Sequence, residues 1–175
     1  MEAKLLHRNA IGVDINPQAV SLTETNLNFS CDSHSKIFVK NASATNLEFI
    51  KDGKIDFICT HPPYADIIKY SSGINGDISL LGEKEFLNEI DKVATESYRV
   101  LKDNKCCAVM IGDMRKRGNV VPLGFELMQC FLNVGFKSKE IIIKEQHTCR
   151  STDKWKNQNR NFLILAHEYI FVFYK

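Results

Sequence analysis

No unbroken apolar run in this chain approaches the roughly 20 residues that a membrane-spanning helix requires. The N-terminus carries Glu2, Lys4, His7 and Arg8 where a signal peptide would place its apolar core. The expectation is a protein that stays where it is made, in the cytoplasm and off the membrane. Strong charge of either sign is also missing. With a formal net charge of +2, the chain is no polycation of the kind that coats nucleic acid by charge alone, so any nucleic-acid contact has to be local. Metal-ligand spacing is missing too: Cys31 with His34, and His147 with Cys149, match no standard zinc interval, and no metal is expected. Six cysteines sit at irregular spacing, with adjacent Cys106 and Cys107 inside an apolar run; they read as buried free thiols of a reducing compartment. Repeats, low-complexity tracts and a dividing linker are all absent, which leaves one domain over 175 residues.

What is present is a globular composition, 44% apolar and 25% charged, with material for a sizeable core. "NAIGVDI" (9–15) is an apolar run closed by an acid, and the residues after it place Asn16 at a helix N-cap and Pro17 at the first helical position. "KIFVKNA" (36–42) and "KIDFICT" (54–60) are two further strands; the "SATNLEFIKDG" between them has room for a turn or two of helix. Residues 83–102 put Phe86, Leu87, Ile90, Val93, Ala94 and Leu101 on one stripe, an amphipathic helix. "KCCAVMIG" (105–112) reads as a buried strand, and Pro122 opens a helix that stops at Gly135. Segments 137–146 and 165–174 are strands with no helix between them, which predicts an antiparallel hairpin. Strands and helices alternating in this way predict a doubly wound, mostly parallel α/β sheet, with ligands at the carboxyl ends of its strands. Asp14 and His61 both fall at such ends.

The turn "THPPY" (60–64) ends a strand with two prolines. Each proline fixes its own φ, removes a donor and restricts the residue before it, so the turn is stiff and its carbonyls are free to accept. With "IGVDINPQAV" upstream, "MIGD" after the long helix and a closing "HEYIFVF", the chain resembles the DNA methyltransferases that modify the exocyclic amino groups of adenine or cytosine. The likeness covers nearly its whole length. It implies an S-adenosylmethionine-dependent methyltransferase sheet of Rossmann-like form, DNA as partner, and DNA methylation of the kind found in restriction–modification. It further implies that the carbonyl of Pro62 and the side chain of His61 accept from the target amine, held by the Pro62–Pro63 turn, while Tyr64 stacks on a flipped base. Asp14 would bind the cofactor ribose, helped by Ile15, with Ser43, Ala44 and Thr60 lining the same cofactor site.

Three departures from the family pattern accompany the likeness. His61 stands where Asp, Asn or Ser is usual, and Ser43 where an acid is expected at the adenine. The glycine-rich loop on the first strand is the third, since no glycine precedes Gly12. That strand would lie between those ending at Asp14 and His61, so its absence predicts two unpaired edges. Either the chain is the truncated or split catalytic domain of a longer methyltransferase, completed by a partner chain or second copy, or it has rearranged to close the gap. DNA contact would fall to Arg115, Lys116 and Arg117 in "MRKRG" and to Arg150, Lys154, Trp155, Lys156 and Arg160 in the loop before the last strand. "SSGINGDISLLG" reads as a flexible cover over substrate. RNA is the alternative partner, through a transfer-RNA guanine methyltransferase; a non-catalytic nucleic-acid-binding remnant is the alternative from another class.

Overall fold

The structure, a computed structural model, describes residues 1–146 and 162–175. A four-residue helix α1 (Glu2–Leu5) precedes strand β1 (Ala10–Asp14), helix α2 (Pro17–Leu27), β2 (Ile37–Asn41) and β3 (Ile55–Thr60). Helix α3 (Glu83–Val100) leads directly into β4 (Leu101–Ile111). The short strands β5 (Met114–Lys116) and β6 (Asn119–Val121) follow, then α4 (Leu123–Val134), β7 (Lys137–Glu145) and β8 (His167–Tyr174).

The local chemistry explains the boundaries. Asn16 caps α2 by accepting from the Gln18 N–H, with Pro17 at the first helical position, as the sequence predicts. Lys4 donates to the carbonyls of Leu27 and Phe29, placing a cation where the helix dipole of α2 is negative and tying α1 to it. Helix α4 ends at Gly135 with φ of 115°, a left-handed cap that glycine adopts without strain. Residues 43–54 form turns and no helix. Ser43 and Asn46 accept from the backbone N–H groups of Thr45 and Glu48, and such side chains compete with helical hydrogen bonds. Arg99 then pins the segment to α3, donating to the carbonyls of Ile50 and Leu47 and to the carboxylates of Asp52 and Glu96.

Strand pairing gives the expected α/β sheet in two separate pieces. β1 and β2 pair in parallel, while a four-stranded sheet runs β3-β4-β8-β7. In the latter, β3 and β4 are parallel, and β8 is antiparallel to both β4 and β7. The C-terminal hairpin therefore wedges its second strand beside β4 and leaves β7 at the edge. β4 begins earlier than the sequence suggests because Leu101 already pairs with Ile55; the register then jumps to Phe57 opposite Cys106, across Asn104 at positive φ. "MRKRG" forms the tip of the β5–β6 hairpin, which sequence reading placed only as a basic loop.

The main core lies where α3 and α4 cover the four-stranded sheet. Phe86, Ile90, Leu101, Val109, Leu123, Leu127, Phe131, Phe171 and Phe173 are fully or almost fully buried there. The rings of Phe131 and Phe173 stack with centroids 5.0 Å apart and planes 8° apart. Cys107 is buried among these residues, and burial pushes its thiol up to about 12, so it stays protonated. A smaller cluster of Leu47, Ile50 and Val100 sits with Val13 and Ile58 between the two sheet pieces. The facing strands are far less covered: Ile11 is 43% exposed and Phe57 58%. Among the described residues no helix is long and apolar enough to cross a membrane.

Candidate active site

The carboxyl end of β1 is a single hydrogen-bonded unit. Asp14 accepts from the Asn16 N–H through Oδ1 at 2.8 Å, and its backbone carbonyl accepts from Ala42 N and Asn41 Nδ2. Those bonds hold Asp14, Ile15 and the Ala42–Ser43–Ala44 backbone side by side. The residues after β3 join them around a cavity of about 320 Å³, whose walls include Asp14, Ile15, Ser43, Ala44, His61 and Pro63. That volume falls in the range of small-ligand sites, about 300–1,000 Å³. Thr60 ends β3 just before His61 and, like Pro62 and Tyr64, lies outside the cavity lining.

Further walls of the cavity come from beyond the Pro-Pro turn. Tyr70, Gly76, Asp77 and Ile78 close it from the segment after the Pro-Pro turn. The sequence reads that segment as a flexible cover, yet Asp77 is 8% exposed and anchors it. Its Oδ2 accepts from Ser71 Oγ and its Oδ1 from the Ser79 N–H, while Ser79 Oγ accepts from the Tyr70 N–H. Burial raises the Asp77 carboxyl, but the bonds from Ser71 and Ser79 outweigh it and hold the group below the usual carboxylate range. Gly76, at φ of 85°, crosses so near Ile15 that a Cβ there would lie 2.9 Å from the Ile15 side chain. An acid flanked by Gly and Ser is the signal from which this anchor could have been found.

The cavity's charged lining is acidic among the described residues: Asp14 and Asp77 contribute carboxylates, and no described Lys or Arg lines it. Such a wall disfavours a pyrophosphate and favours a cation. Apolar side chains of Val13, Ile15, Ala19, Ala42, Ala44 and Ile78 offer room for a flat ring, and Asp14 offers an acceptor to a ribose diol. These residues fit S-adenosylmethionine. The Ser43 hydroxyl is engaged locally with Thr45 Oγ1 at 2.7 Å.

Beside the cavity, His61 Nε2 lies 3.1 Å from Tyr64 Oη, and Tyr64 Oη donates to Glu168 Oε1 at 2.5 Å. Lys144 donates to the other oxygen of Glu168. The Tyr64 ring is half-buried and packs over Gly112, so it is fixed at ring and hydroxyl alike. Burial, and then the bond to Glu168, raise the Tyr64 hydroxyl far above its ordinary value and keep it protonated. For Glu168 burial acts to raise the carboxyl, but hydrogen bonds from Lys144, Tyr64 and Gln146 together hold it below its ordinary value of 4.5. No local pattern in "HEYIFVF" assigns Glu168 a role. Its signal was an acid inside the most apolar strand, which burial tolerates only with partners.

A second cluster of the same kind braces the adjoining strand end. His167 Nε2 lies 3.1 Å from Tyr169 Oη, which donates to Asp113 Oδ2, and Asp113 Oδ1 accepts from the Gly124 N–H. The β5–β6 hairpin is tied down as well. Arg115 donates to the carbonyls of Gly118 and Leu163 and lies over the Phe162 ring, and Lys116 pairs with Asp66. Arg117 stands exposed at the tip, with φ of 51°. The other expected DNA contacts, Arg150, Lys154, Trp155, Lys156 and Arg160, lie outside the described residues.

Comparison with known proteins agrees with this geometry. Residues 55–175 match the N6/N4 methylase family model, described as DNA methylase. The chain is 30% identical over 128 residues to the orphan methyltransferase M.BamHII of Bacillus amyloliquefaciens, covering 73% of this chain and 41% of that protein. It is 33% identical over 114 residues to the release factor glutamine methyltransferase of Aquifex aeolicus (strain VF5), covering 62% and 38%. It thus spans about two fifths of the length of the curated relatives it matches. A solved SAM-dependent methyltransferase from Methanosarcina mazei superposes with a TM-score of 0.66 at 15% identity, over 99% of this chain and 85% of that one. The fold is therefore the Rossmann-like one of S-adenosylmethionine-dependent methyltransferases.

Proposed function

This chain belongs to the N6/N4 DNA methylase family, and from that premise we propose that it transfers a methyl group from S-adenosylmethionine to an exocyclic amine of adenine or cytosine in DNA. One observation carries the reading: a single cavity joins Asp14 at the end of β1 to His61 and Pro63 at the end of β3. When bound, S-adenosylmethionine supplies an electrophilic methyl group on a cationic sulfonium. Asp14 accepts from the ribose hydroxyls, Ile15 and Ala44 pack on the adenine, and the backbone at Ser43 makes the contact that an acid makes elsewhere. Thr60 sets the turn that follows.

An exocyclic amine is a poor nucleophile because its lone pair is delocalised into the ring. Two acceptors holding its protons favour a pyramidal nitrogen whose lone pair can attack in line. The Pro62 carbonyl and His61 are those acceptors, Pro63 stiffens the turn that follows them, and the anchored Tyr64 ring supports a base swung out of the helix. Arg117 at the hairpin tip contacts phosphate, with Arg115 and Lys116 holding the hairpin in place. Family membership supports DNA over transfer RNA as the nucleic acid.

The likeness to the glutamine methyltransferase supports a second target, a protein carboxamide, whose planar nitrogen presents the same two protons. Labelled methyl transfer to duplex DNA and to a glutamine peptide, in parallel, separates the two. Cofactor titration by calorimetry tests the shared premise. Asp14→Asn is expected to weaken S-adenosylmethionine binding by about 10- to 100-fold, the worth of a charge-assisted hydrogen bond. Equal affinity in the variant would remove Asp14 from the site, and no binding by the unaltered chain would favour a non-catalytic remnant.

We also propose that the sheet is completed by a strand from a partner chain or a second copy. Among the described residues β1 pairs only with β2 and β3 only with β4, so two strand edges carry unpaired backbone groups beside Ile11 and Phe57. Sedimentation at increasing concentration should show self-association or a requirement for a co-expressed partner. A well-folded monomer at all concentrations would count against it.

A further inference from the structure

We propose that Glu168, acting through Tyr64, is a positioning residue that fixes the tautomer of His61 and leaves Nδ1 as its free acceptor at the cavity. The inference rests on the methyl-transfer reading for its use, but its physical content concerns three side chains already in contact. A neutral imidazole has one N–H and one lone pair, and only the lone pair can accept from an amine. Where Asp or Ser stands at this position an acceptor is present in any rotamer, and Asn presents one by the orientation of its amide. A histidine must have its proton placed.

Proton counting does the placing. Tyr64 Oη has one hydrogen and donates it to Glu168 Oε1 at 2.5 Å. Glu168 cannot supply that hydrogen itself, because it is ionised: Lys144 donates to its second oxygen and the group sits below the ordinary glutamate value. With its hydrogen spent, Tyr64 Oη can only accept from His61, whose Nε2 lies 3.1 Å away. Nε2 therefore carries the imidazole hydrogen, and Nδ1 carries the lone pair. His61 Nε2 also lies 4.0 Å from Glu168 Oε1, so the carboxylate adds a direct attraction to the hydrogen-bearing side of the ring. His61 lines the cavity, with its side chain 45% exposed, while the Glu168 side chain is 7% exposed. The imidazole is thus partly open at the cavity, and the anchor is withdrawn from solvent. The arrangement parallels orienting groups that hold a functional histidine in the right tautomer in other active sites.

The test is the ¹⁵N spectrum of His61 in the full chain at pH 8, which distinguishes protonated from unprotonated ring nitrogens and needs neither cofactor nor DNA. The expected result is one dominant form, with Nε2 protonated and Nδ1 bare. In Tyr64→Phe the acceptor at Nε2 is lost and the two tautomers should mix. In Glu168→Gln the new amide can donate to Tyr64, whose hydrogen is then free to turn toward His61, so the populations shift to the Nδ1–H form. Methyl transfer by E168Q should fall roughly 10- to 100-fold in kcat with cofactor KM unchanged, the usual cost of removing an orienting partner. A wild-type spectrum dominated by Nδ1–H, or one that neither variant alters, would overturn the inference. The expected spectra in a chain that methylates neither DNA nor peptide would leave the network standing and sink the methyl-transfer reading instead. Thermal melting at the unaltered midpoint shows that each variant is folded.

Discussion

His61→Ala is expected to slow methyl transfer by about 10²- to 10³-fold, the usual cost of removing one preorganised hydrogen-bonding group from a reacting centre. The Pro62 carbonyl remains, so a residual rate above background is expected. Stability should change little, because the His61 side chain is 45% exposed and outside the packed core. Single-turnover transfer onto labelled duplex is the measurement, since it separates chemistry from cofactor binding. His61→Asn is the informative companion. Its amide oxygen accepts a hydrogen bond in place of the imidazole lone pair, so the variant should retain most of the rate. An unchanged rate in His61→Ala would remove His61 from the acceptor role.

Phe131→Ala is expected to destabilise the fold by about 3–5 kcal/mol, the range for emptying a buried phenylalanine site. Phe131 is 1% exposed and its ring touches both Phe136 and Phe173, at centroid distances of 5.5 and 5.0 Å. Helix α4 meets the sheet at this point, so collapse of the neighbours cannot refill the volume without shifting β8. The loss is a large part of the roughly 5–15 kcal/mol that holds a domain together, and the melting midpoint should drop by about 10 °C. Leu22→Ala, on the 62% exposed face of α2, serves as the control and should lie within about 0.5 kcal/mol of the unaltered chain. Equal effects at the two positions would mean that the core is not centred where the structure puts it.

Glu168 and Asp77 show what kind of residue escapes sequence reading. Each is an acid that looked ordinary on paper, one in an apolar strand and one in a Gly/Ser loop. Their importance comes from partners 104 and 6 positions away, Tyr64 and Ser71. The positions of Asp14 and His61 beside the cavity were legible because each falls at a strand end, and strand ends are where this fold presents ligand groups. The hairpin tip at Arg117 was legible as charge alone, whereas the bonds that immobilise Arg115 and Lys116 depend on Leu163 and Asp66, which no local pattern connects to them.

By itself the sequence determined the alternation of strands and helices, the cap at Asn16, the stop at Gly135 and the stiff turn at Pro62–Pro63. Those features depend on period, capping and fixed φ, which neighbours in the chain impose on one another. Its resemblance to the methyltransferase family also led to the expectation that the strands ending at Asp14 and His61 lack a partner between them, and among the described residues β1 pairs only with β2 and β3 only with β4. Only the tertiary structure decided that β8 inserts between β4 and β7, that a buried Asp77 lines the cavity with Tyr70, Gly76 and Ile78, and that Tyr64 donates its hydrogen to Glu168. The reason is physical: strand order, cavity closure and proton placement are settled by which distant groups desolvate together, and a chain read in order does not display those distances.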